Sequence, residues 1–371
     1  MNNLQQLIST LAKLAPHSDA MEWDNVGLQV GNYNSKIRRV MVTLDINEKV
    51  LKEAIQADID LIISHHPLIF NGLDNIHNQT AKGRIIIKAI KNNIAIYSTH
   101  TNMDMAKGGL NDLLAEKLSI TNTEILSRQK ETKLYKLAVY VPIKYSEKIK
   151  KTLFKKGAGH IGDYSNTSFS IQGEGTFLPG ENTDPYTGKK GNLEKVKEVK
   201  IETVVFENKI DNVIKAMLKV HPYEEVAYDL YRLPQQSKYR GMGRIGFLQR
   251  KINLEKYCEK IKDILDIKKL KIRGNMDDNI HKVALCSGAG ADYISLSKAK
   301  GADLYITGDV KYHEAQLAEE LDLNLIDAGH FETEEIFKEL AFNYLQKAKN
   351  KDRLKIEIIK SKIKTNPWTY Y

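Results

Sequence analysis

An α/β fold, mainly a parallel sheet with helices on both faces and interrupted by an α+β insert, is predicted by three features of the sequence. Short apolar runs alternate with amphipathic segments of about ten residues or more from position 36 to 117, and again from 282 to 359, which is the rhythm of successive βαβ units. Between these stretches the pattern changes to strands of alternating polar and apolar residues, broken by Gly157, Gly159, Gly162, Gly173, Gly175, Gly180, Gly188 and Gly191. The chain has 371 residues, enough for two or three domains and a large core. The expected boundaries are 1–130 and 236–371 for the two parts of one α/β domain, with 131–235 as the insert.

The elements follow in order. Leu4, Leu7, Ile8, Leu11 and Leu14 recur at helical spacing and predict an opening helix. Residues 39–44 read as a strand, 47–57 as a helix, 60–64 as a strand, 80–92 as a helix, 94–98 as a strand and 109–117 as a helix. In the insert, strands are expected at 134–141, 169–172, 200–205 and 227–233, with a helix at 211–220. The last third runs strand 282–286, glycine turn 287–290, helix 291–300, strand 303–307, helix 310–321, strand 323–327, helix 331–347 and strand 354–359. It mirrors the first third in element order, so the two form a weak pseudo-repeat.

Composition narrows the function. With 42% hydrophobic and 28% charged residues the chain has ordinary globular composition. The first 16 residues lack a positive region followed by a continuous apolar core, and no apolar run approaches the roughly 20 residues of a membrane helix, so a cytoplasmic protein with no membrane partner is expected. Only Cys258 and Cys286 are present, which argues against a disulfide framework and leaves His and carboxylate to hold any metal. The net charge of +9 comes from 56 basic residues against 47 acidic ones, mostly lysines scattered over helical faces. The densest basic segment, 268–273, has no interleaved aromatics, so nucleic acid is not an expected partner.

The chemistry concentrates at strand ends. Ile59 to Ile63 is a buried-strand pattern, and Pro67 cannot donate to a sheet ladder, so the strand stops at Ser64-His65-His66-Pro67. Neighbours in a strand face opposite ways, and His65 and His66 can serve one site only where the strand gives way to a loop. His100 and Asp104 follow the next predicted strand. His330 and Glu334 follow the strand 323–327, and a helix starting there puts them one turn apart on one face, with Glu332 pointing away. Each piece has a plain alternative: a strand end, a helix-start polar pair, or a capping aspartate. Together, His65, His66, Asp104, His330 and Glu334 offer three imidazoles and two carboxylates beyond the carboxyl ends of parallel strands, where open α/β sheets bind ligands. Such a set suits two divalent ions roughly 3.5–4 Å apart. Zinc, iron or manganese all accept these ligands. His100 is the expected catalytic residue, a proton shuttle, while His100 and His313 are placed beside the ligand set and not in it. Ser287-Gly288-Ala289-Gly290 offers either backbone N–H groups for a phosphate or a tight structural turn, and it lacks the ending of a nucleotide P-loop.

Trp23-Asp24-Asn25-Val26-Gly27-Leu28-Gln29-Val30-Gly31, Ser64-His65-His66-Pro67-Leu68-Ile69-Phe70, Thr99-His100-Thr101-Asn102-Met103-Asp104, Thr307-Gly308-Asp309 and Gly329-His330-Phe331-Glu332-Thr333-Glu334 resemble the successive blocks of the NIF-three-like family of GTP cyclohydrolase 1 type 2 homologues. The resemblance implies a dinuclear metal site, with His65, His66, Asp104, His330 and Glu334 at the matching ligand positions, in a toroidal homohexamer. The insert resembles the PII-like or CutA-like domain of longer members, with His221-Pro222-Tyr223-Glu224-Glu225 as its block; by itself that block reads as a structural turn. The expected function is a metal-dependent hydrolase acting on a nucleotide-like or phosphoester substrate. The alternative is a non-catalytic, metal-dependent binding or regulatory hexamer with a ligand-sensing insert, and a third reading is metal storage or trafficking.

Overall fold

The computed structural model describes residues 2–369, and the chain divides into two compact units, 2–129 with 240–369 and, separately, 130–239. The first unit is built on two large sheets, beside a short antiparallel ladder of Asn2–Asn3 with Lys36–Ile37. One has the strand order Glu357–Lys360, Arg39–Thr43, Leu61–Ser64, Ala95–Ser98 and Gly27–Val30; the first four are parallel and the last is antiparallel. All four residues of Leu61–Ser64 and of Ala95–Ser98 are buried, as strands covered on both faces must be. The alternation of side chains explains how. Val40, Val42, Leu61 and Ile63 pack on one face with Leu4, Leu7, Leu11, Phe337 and Leu345, while Met41, Ile62 and Ile96 pack on the other with Val50, Leu51, Ile85 and Ile86. The helices supplying those faces start where the chain caps them. Asn47 accepts from the backbone N–H groups of Lys49 and Val50 to open Glu48–Gln56, and Thr80 accepts from Gly83 to open Ala81–Lys91.

The other sheet of this unit runs Lys271–Arg273, Asn324–Asp327, Leu304–Gly308, Asn279–Ala289, then the adjoining part of Tyr228–Asn253. Its middle three strands are parallel and its flanks antiparallel. Leu254, Tyr257, Cys258 and Ile261 of the helix Leu254–Leu265 cover one face, and Ile294, Tyr305, Ala318 and Leu325 form the core of the other.

The unit 130–239 has the chain order β-α-β-β-α-β. Its strands lie in the order fourth, first, third, second, and the helices Ser146–Lys155 and Ile210–Val220 pack Ile149, Leu153, Val213 and Met217 onto Leu137, Val139, Val141 and Ile201. This is the split βαβ arrangement. Its outer strand, Ser168–Phe177, is exposed along most of its length.

The mixed α/β class with helix-flanked sheets is as predicted, and several details differ. The main unit has two mixed sheets, because antiparallel strands flank each parallel centre. The strands expected at 134–141 and 227–233 are parts of Ile120–Pro142 and Tyr228–Asn253, whose remaining residues are too polar to advertise a strand. The helix expected at 331–347 is two, His330–Glu334 and Phe337–Asp352, separated by two turn residues. Thr101–Met105 forms a helix too short for periodicity to reveal. The expected turn at 287–290 lies mostly inside the strand Asn279–Ala289, whose pairing with Leu304–Gly308 shifts register between Leu285 and Ala289. Among the described residues no helix is long and apolar enough to cross a membrane.

Phe337 is fully buried in the core under Leu61–Ser64, and its ring centroid lies 5.0 Å from that of His65. Phe337→Ala is expected to cost about 3–5 kcal/mol of stability, read as a lowered midpoint in urea unfolding followed by circular dichroism.

Candidate metal centre

The site is made by strand register. Thr43, Ser64 and Ser98 lie side by side in three parallel strands, so the residues that follow them emerge together at one edge. Those residues include Asp45, His65, His66 and His100. The backbone N–H groups of His65 and His66 both donate to Leu44 O, a geometry that breaks the strand alternation and lets the two imidazoles face one cavity. The second sheet contributes in the same way. Thr307 and Asp327 are paired in parallel, and beyond them Asp309 and the short helix His330–Glu334 emerge together. Gly329, with φ of 87°, makes the turn into that helix. Asp104 comes from Thr101–Met105, in which every residue is buried.

Each histidine is held by its Nδ1. His65 Nδ1 donates to Thr99 O at 3.0 Å, His66 Nδ1 to Asp45 Oδ1 at 2.7 Å, His100 Nδ1 to Asp24 Oδ1 at 2.9 Å and His330 Nδ1 to Asp309 Oδ2 at 2.7 Å. The acceptor in each case is a carbonyl or carboxylate oxygen, so the proton sits on Nδ1 and Nε2 is the atom presented to the cavity. His65, His66 and His100 form one group whose ligand atoms lie within 4.8 Å of one another; His66, His330 and Glu334 form a second; His65, Asp104 and Glu334 form a third. All five residues expected as ligands therefore meet in one place, and His100, expected as a proton shuttle, stands among them.

These donors fit a divalent cation. His65 Nε2 and Asp104 Oδ1 are buried, lie 3.6 Å apart and have no hydrogen-bond partner among the described residues. Glu334 Oε1 is 3.7 Å from His65 Nε2, beyond hydrogen-bonding reach. Glu334 Oε2 lies 2.9 Å from His66 Nε2 and 3.0 Å from His330 Nε2, outside hydrogen-bond geometry. Unpaired polar atoms are costly in a buried site, and acceptors that converge without a donor between them are stabilised by a cation.

The proton affinities express the same crowding. Burial pushes His65 down to about 4, so it is a neutral ligand at neutral pH. Burial also pushes Asp104 well above the ordinary carboxylate range, reinforced by the neighbouring Glu334. Burial acts to raise Glu334 too, but the imidazoles of His65, His330 and His66 outweigh it and hold the carboxyl well below its usual value. For His66, burial is outweighed by Asp45 and Glu334, which raise it to about 10, and Glu334 and Asp309 likewise raise His330 to about 9, so at these two Nε2 atoms a cation competes with a proton. Asp24 and Asp45 stay below the ordinary range despite burial, through His100 and His66 respectively.

The sequence assigned no role to the aspartates that orient the histidines, Asp24, Asp45 and Asp309, and did not connect Gly288 with Glu334. Asp45 and Asp309 occupy the same kind of strand-end position as the histidines, which is the one signal that points to them. Thr365 Oγ1 donates to Asp45 Oδ2 at 2.5 Å and so ties the C-terminal segment to the support of His66. Gly288 has φ of 64°, and a Cβ there would lie 2.0 Å from Glu334 Oε1. That close approach accounts for the glycine-rich 287–290 segment. The N–H groups of Ser287, Gly288 and Gly290 donate to Asn111, Thr333 and Thr307 side chains, so those amides are not available to a phosphate, and the segment is the end of the strand Asn279–Ala289 at its register shift. His313 does not join the cluster; it is exposed and bonded to Gln316. In the other unit, residues 221–225 form a turn in which His221 Nε2 lies 3.0 Å from Tyr140 O and Tyr223 donates to Glu198 at 2.7 Å.

A profile of the Duf34/NIF3 (NGG1p interacting factor 3) family matches residues 2–367. The chain belongs to the Duf34/NIF3 family. Family members named GTP cyclohydrolase 1 type 2 homolog from Bacillus subtilis and Halalkalibacterium halodurans are 44% and 42% identical over 368 residues, covering 99% of this chain and 98% and 99% of theirs. The crystal structure of a Bacillus cereus protein related to NIF3 matches with a TM-score of 0.91 at 44% identity, covering 100% of this chain and 99% of that one. A Staphylococcus aureus structure matches with a TM-score of 0.82 at 29% identity over 100% and 99% of the two chains.

Asp45→Ala and Asp309→Ala remove the groups that orient His66 and His330, and each is expected to weaken metal affinity about 10–100-fold in chelator-competition titrations. Gly288→Ala should do the same by displacing the Glu334 carboxylate, with little loss of helix content by circular dichroism.

Proposed function

We propose that this protein is a metal-dependent hydrolase holding two divalent ions on His65, His66, Asp104, His330 and Glu334 and acting on a nucleotide-like or phosphoester substrate. The observation that carries the reading is the set of buried, unpartnered donor atoms on His65, Asp104 and Glu334. When bound, divalent ions supply electrophilic polarisation of a substrate oxygen and acidify water. The remaining work falls to the chain. Asp45 and Asp309 orient His66 and His330; Asp24 fixes the Nδ1 proton of His100 and frees its Nε2 to take a proton from, or return one to, a reacting group. A cavity of about 680 Å³ adjoins the site, lined by His66, His330, Asp309, Lys269, Lys271 and Trp368. Its size suits a small molecule, and its lining mixes Lys269 and Lys271 with carboxylates, the Lys271 ammonium lying 3.0 Å from Asp327 Oδ2. The names of the Bacillus subtilis and Halalkalibacterium halodurans relatives favour a GTP-like substrate.

The second reading, a non-catalytic metal-dependent regulatory assembly, draws on the insert. Its outer strand Ser168–Phe177 leaves Phe169 63% and Ile171 50% exposed, an edge suited to pairing between copies. A toroidal homohexamer with the insert as a PII- or CutA-like sensing module follows from that reading.

Purified protein reconstituted separately with zinc, manganese or ferrous iron, and offered GTP, other nucleotides and phosphoesters, separates the two. The hydrolase reading expects turnover that falls about 100-fold or more in His100→Gln and to background in Glu334→Gln. Absence of turnover in protein carrying two ions per chain would overturn it. The regulatory reading instead expects His65→Ala to change molecular mass or ligand affinity with no rate to lose.

A further inference from the structure

Two large aromatic side chains stand in solvent beside the buried donor cluster. Trp23 is 58% exposed and Phe70 43% exposed, yet their rings are in contact, with centroids 5.8 Å apart and planes tilted by 48°. Both meet His100 edge-on, at 6.1 and 6.4 Å. The His100 ring in turn lies 5.1 Å from His65 and 5.4 Å from His66. One imidazole therefore separates the exposed aromatic surface from the proposed ligands.

The exposure belongs to an ordered surface. Asp24, next to Trp23, accepts from the backbone N–H and hydroxyl of Thr101 as well as from His100, and the backbone N–H of Met21 donates to Thr101 Oγ1. On the other side, Asn25 Nδ2 donates to Ile69 O at 2.6 Å and Ile69 N–H donates to Gln29 Oε1, so the segment carrying Phe70 is tied to the segment carrying Trp23. Held rings that remain in water are preorganised for a ligand, because little side-chain freedom remains to be lost on binding. Trp and Phe faces recognise planar π systems regardless of their hydrogen-bonding edge. At 5.8 Å and 48° the two rings leave no slot for a third between them, so a ligand ring must lie on their outer faces.

We propose that Trp23 and Phe70 form a stacking shelf for the planar aromatic or heteroaromatic ring of the substrate, holding it one imidazole away from His65 and His66. This rests on the reading of the adjoining cluster as a catalytic metal site, and it narrows the substrate class to molecules carrying such a ring. Trp23 and Phe70 act in binding and orientation, with His100 between the shelf and the donor atoms.

The test uses full-length, metal-loaded protein and three planar probes, guanosine, cytidine and nicotinamide, with ribose 5-phosphate as a probe lacking a ring. The chain has two tryptophans, so Trp368→Phe leaves Trp23 as the sole indole reporter. At least one planar probe is expected to quench it saturably, and calorimetry should show that probe weakened roughly 10-fold or more by Trp23→Ala, less by Trp23→Phe, with ribose 5-phosphate affinity unchanged. Failure of all three planar probes to bind, or equal affinity in wild type, Trp23→Ala and Phe70→Ala, overturns the shelf. So does a change in molecular mass in Trp23→Ala with no change in ring affinity, which marks the surface as a contact between copies. Ring binding that depends on Trp23 in protein with two ions and no turnover leaves the shelf standing and removes the hydrolase reading. Turnover with ring affinity indifferent to both aromatics does the reverse.

Discussion

His65 Nε2, Asp104 Oδ1 and the Glu334 carboxylate converge in a buried space with no donor placed between His65 and Asp104, and much of the surrounding structure serves to keep them there. Three acceptors at such separations repel one another, and burial removes the water that would screen them. The arrangement persists because each group is anchored from behind: Thr99 O holds His65, Asn111 Nδ2 bonds the backbone carbonyl of Asp104, and Gly288 leaves the space that Glu334 occupies. Ligand geometry is imposed by the fold at the expense of local stability, the pattern expected where function demands it.

The two sheets of the main unit have complementary tasks. The first delivers His65, His66 and His100 from adjacent parallel strands, with rigid positions because Leu61–Ser64 and Ala95–Ser98 are buried on both faces. The second delivers His330 and Glu334 on one helical turn, with Asp309 beside them. Neither sheet alone supplies the three groups of converging donors. The carboxylates of Asp24, Asp45 and Asp309 repeat one device: each accepts the Nδ1 proton of a histidine and turns its Nε2 toward the cavity. Trp23 and Phe70 extend the same construction outward, since the segment that carries Asp24 also carries Trp23.

Much of this was legible in the sequence. The apolar run before His65 and the proline after it place a strand end at the histidine pair, and the four-residue spacing of His330 and Glu334 puts both on one side of a helix start. The supporting aspartates were not legible in the same way. Asp45 and Asp309 are single acidic residues after strands, indistinguishable from turn residues until their distances to His66 and His330 are known. The helix Thr101–Met105 was missed because five buried residues, three of them polar, carry no periodic signal. The glycine-rich 287–290 segment left a phosphate site and a structural turn both open; the partners of its N–H groups decide against the phosphate, and most of the segment continues the strand Asn279–Ala289.

Periodicity and residue type by themselves determined the α/β class, the change of pattern in the middle of the chain, and a donor set of imidazoles and carboxylates, because these depend on which residues follow one another. The tertiary structure alone decided that the outer thirds build two mixed sheets, that residues as distant as His65 and Glu334 come within 3.7 Å, and which nitrogen each histidine presents. Those outcomes depend on strand register and on the partners at the back of each ring, and contacts between residues more than two hundred positions apart leave no local trace in a single sequence.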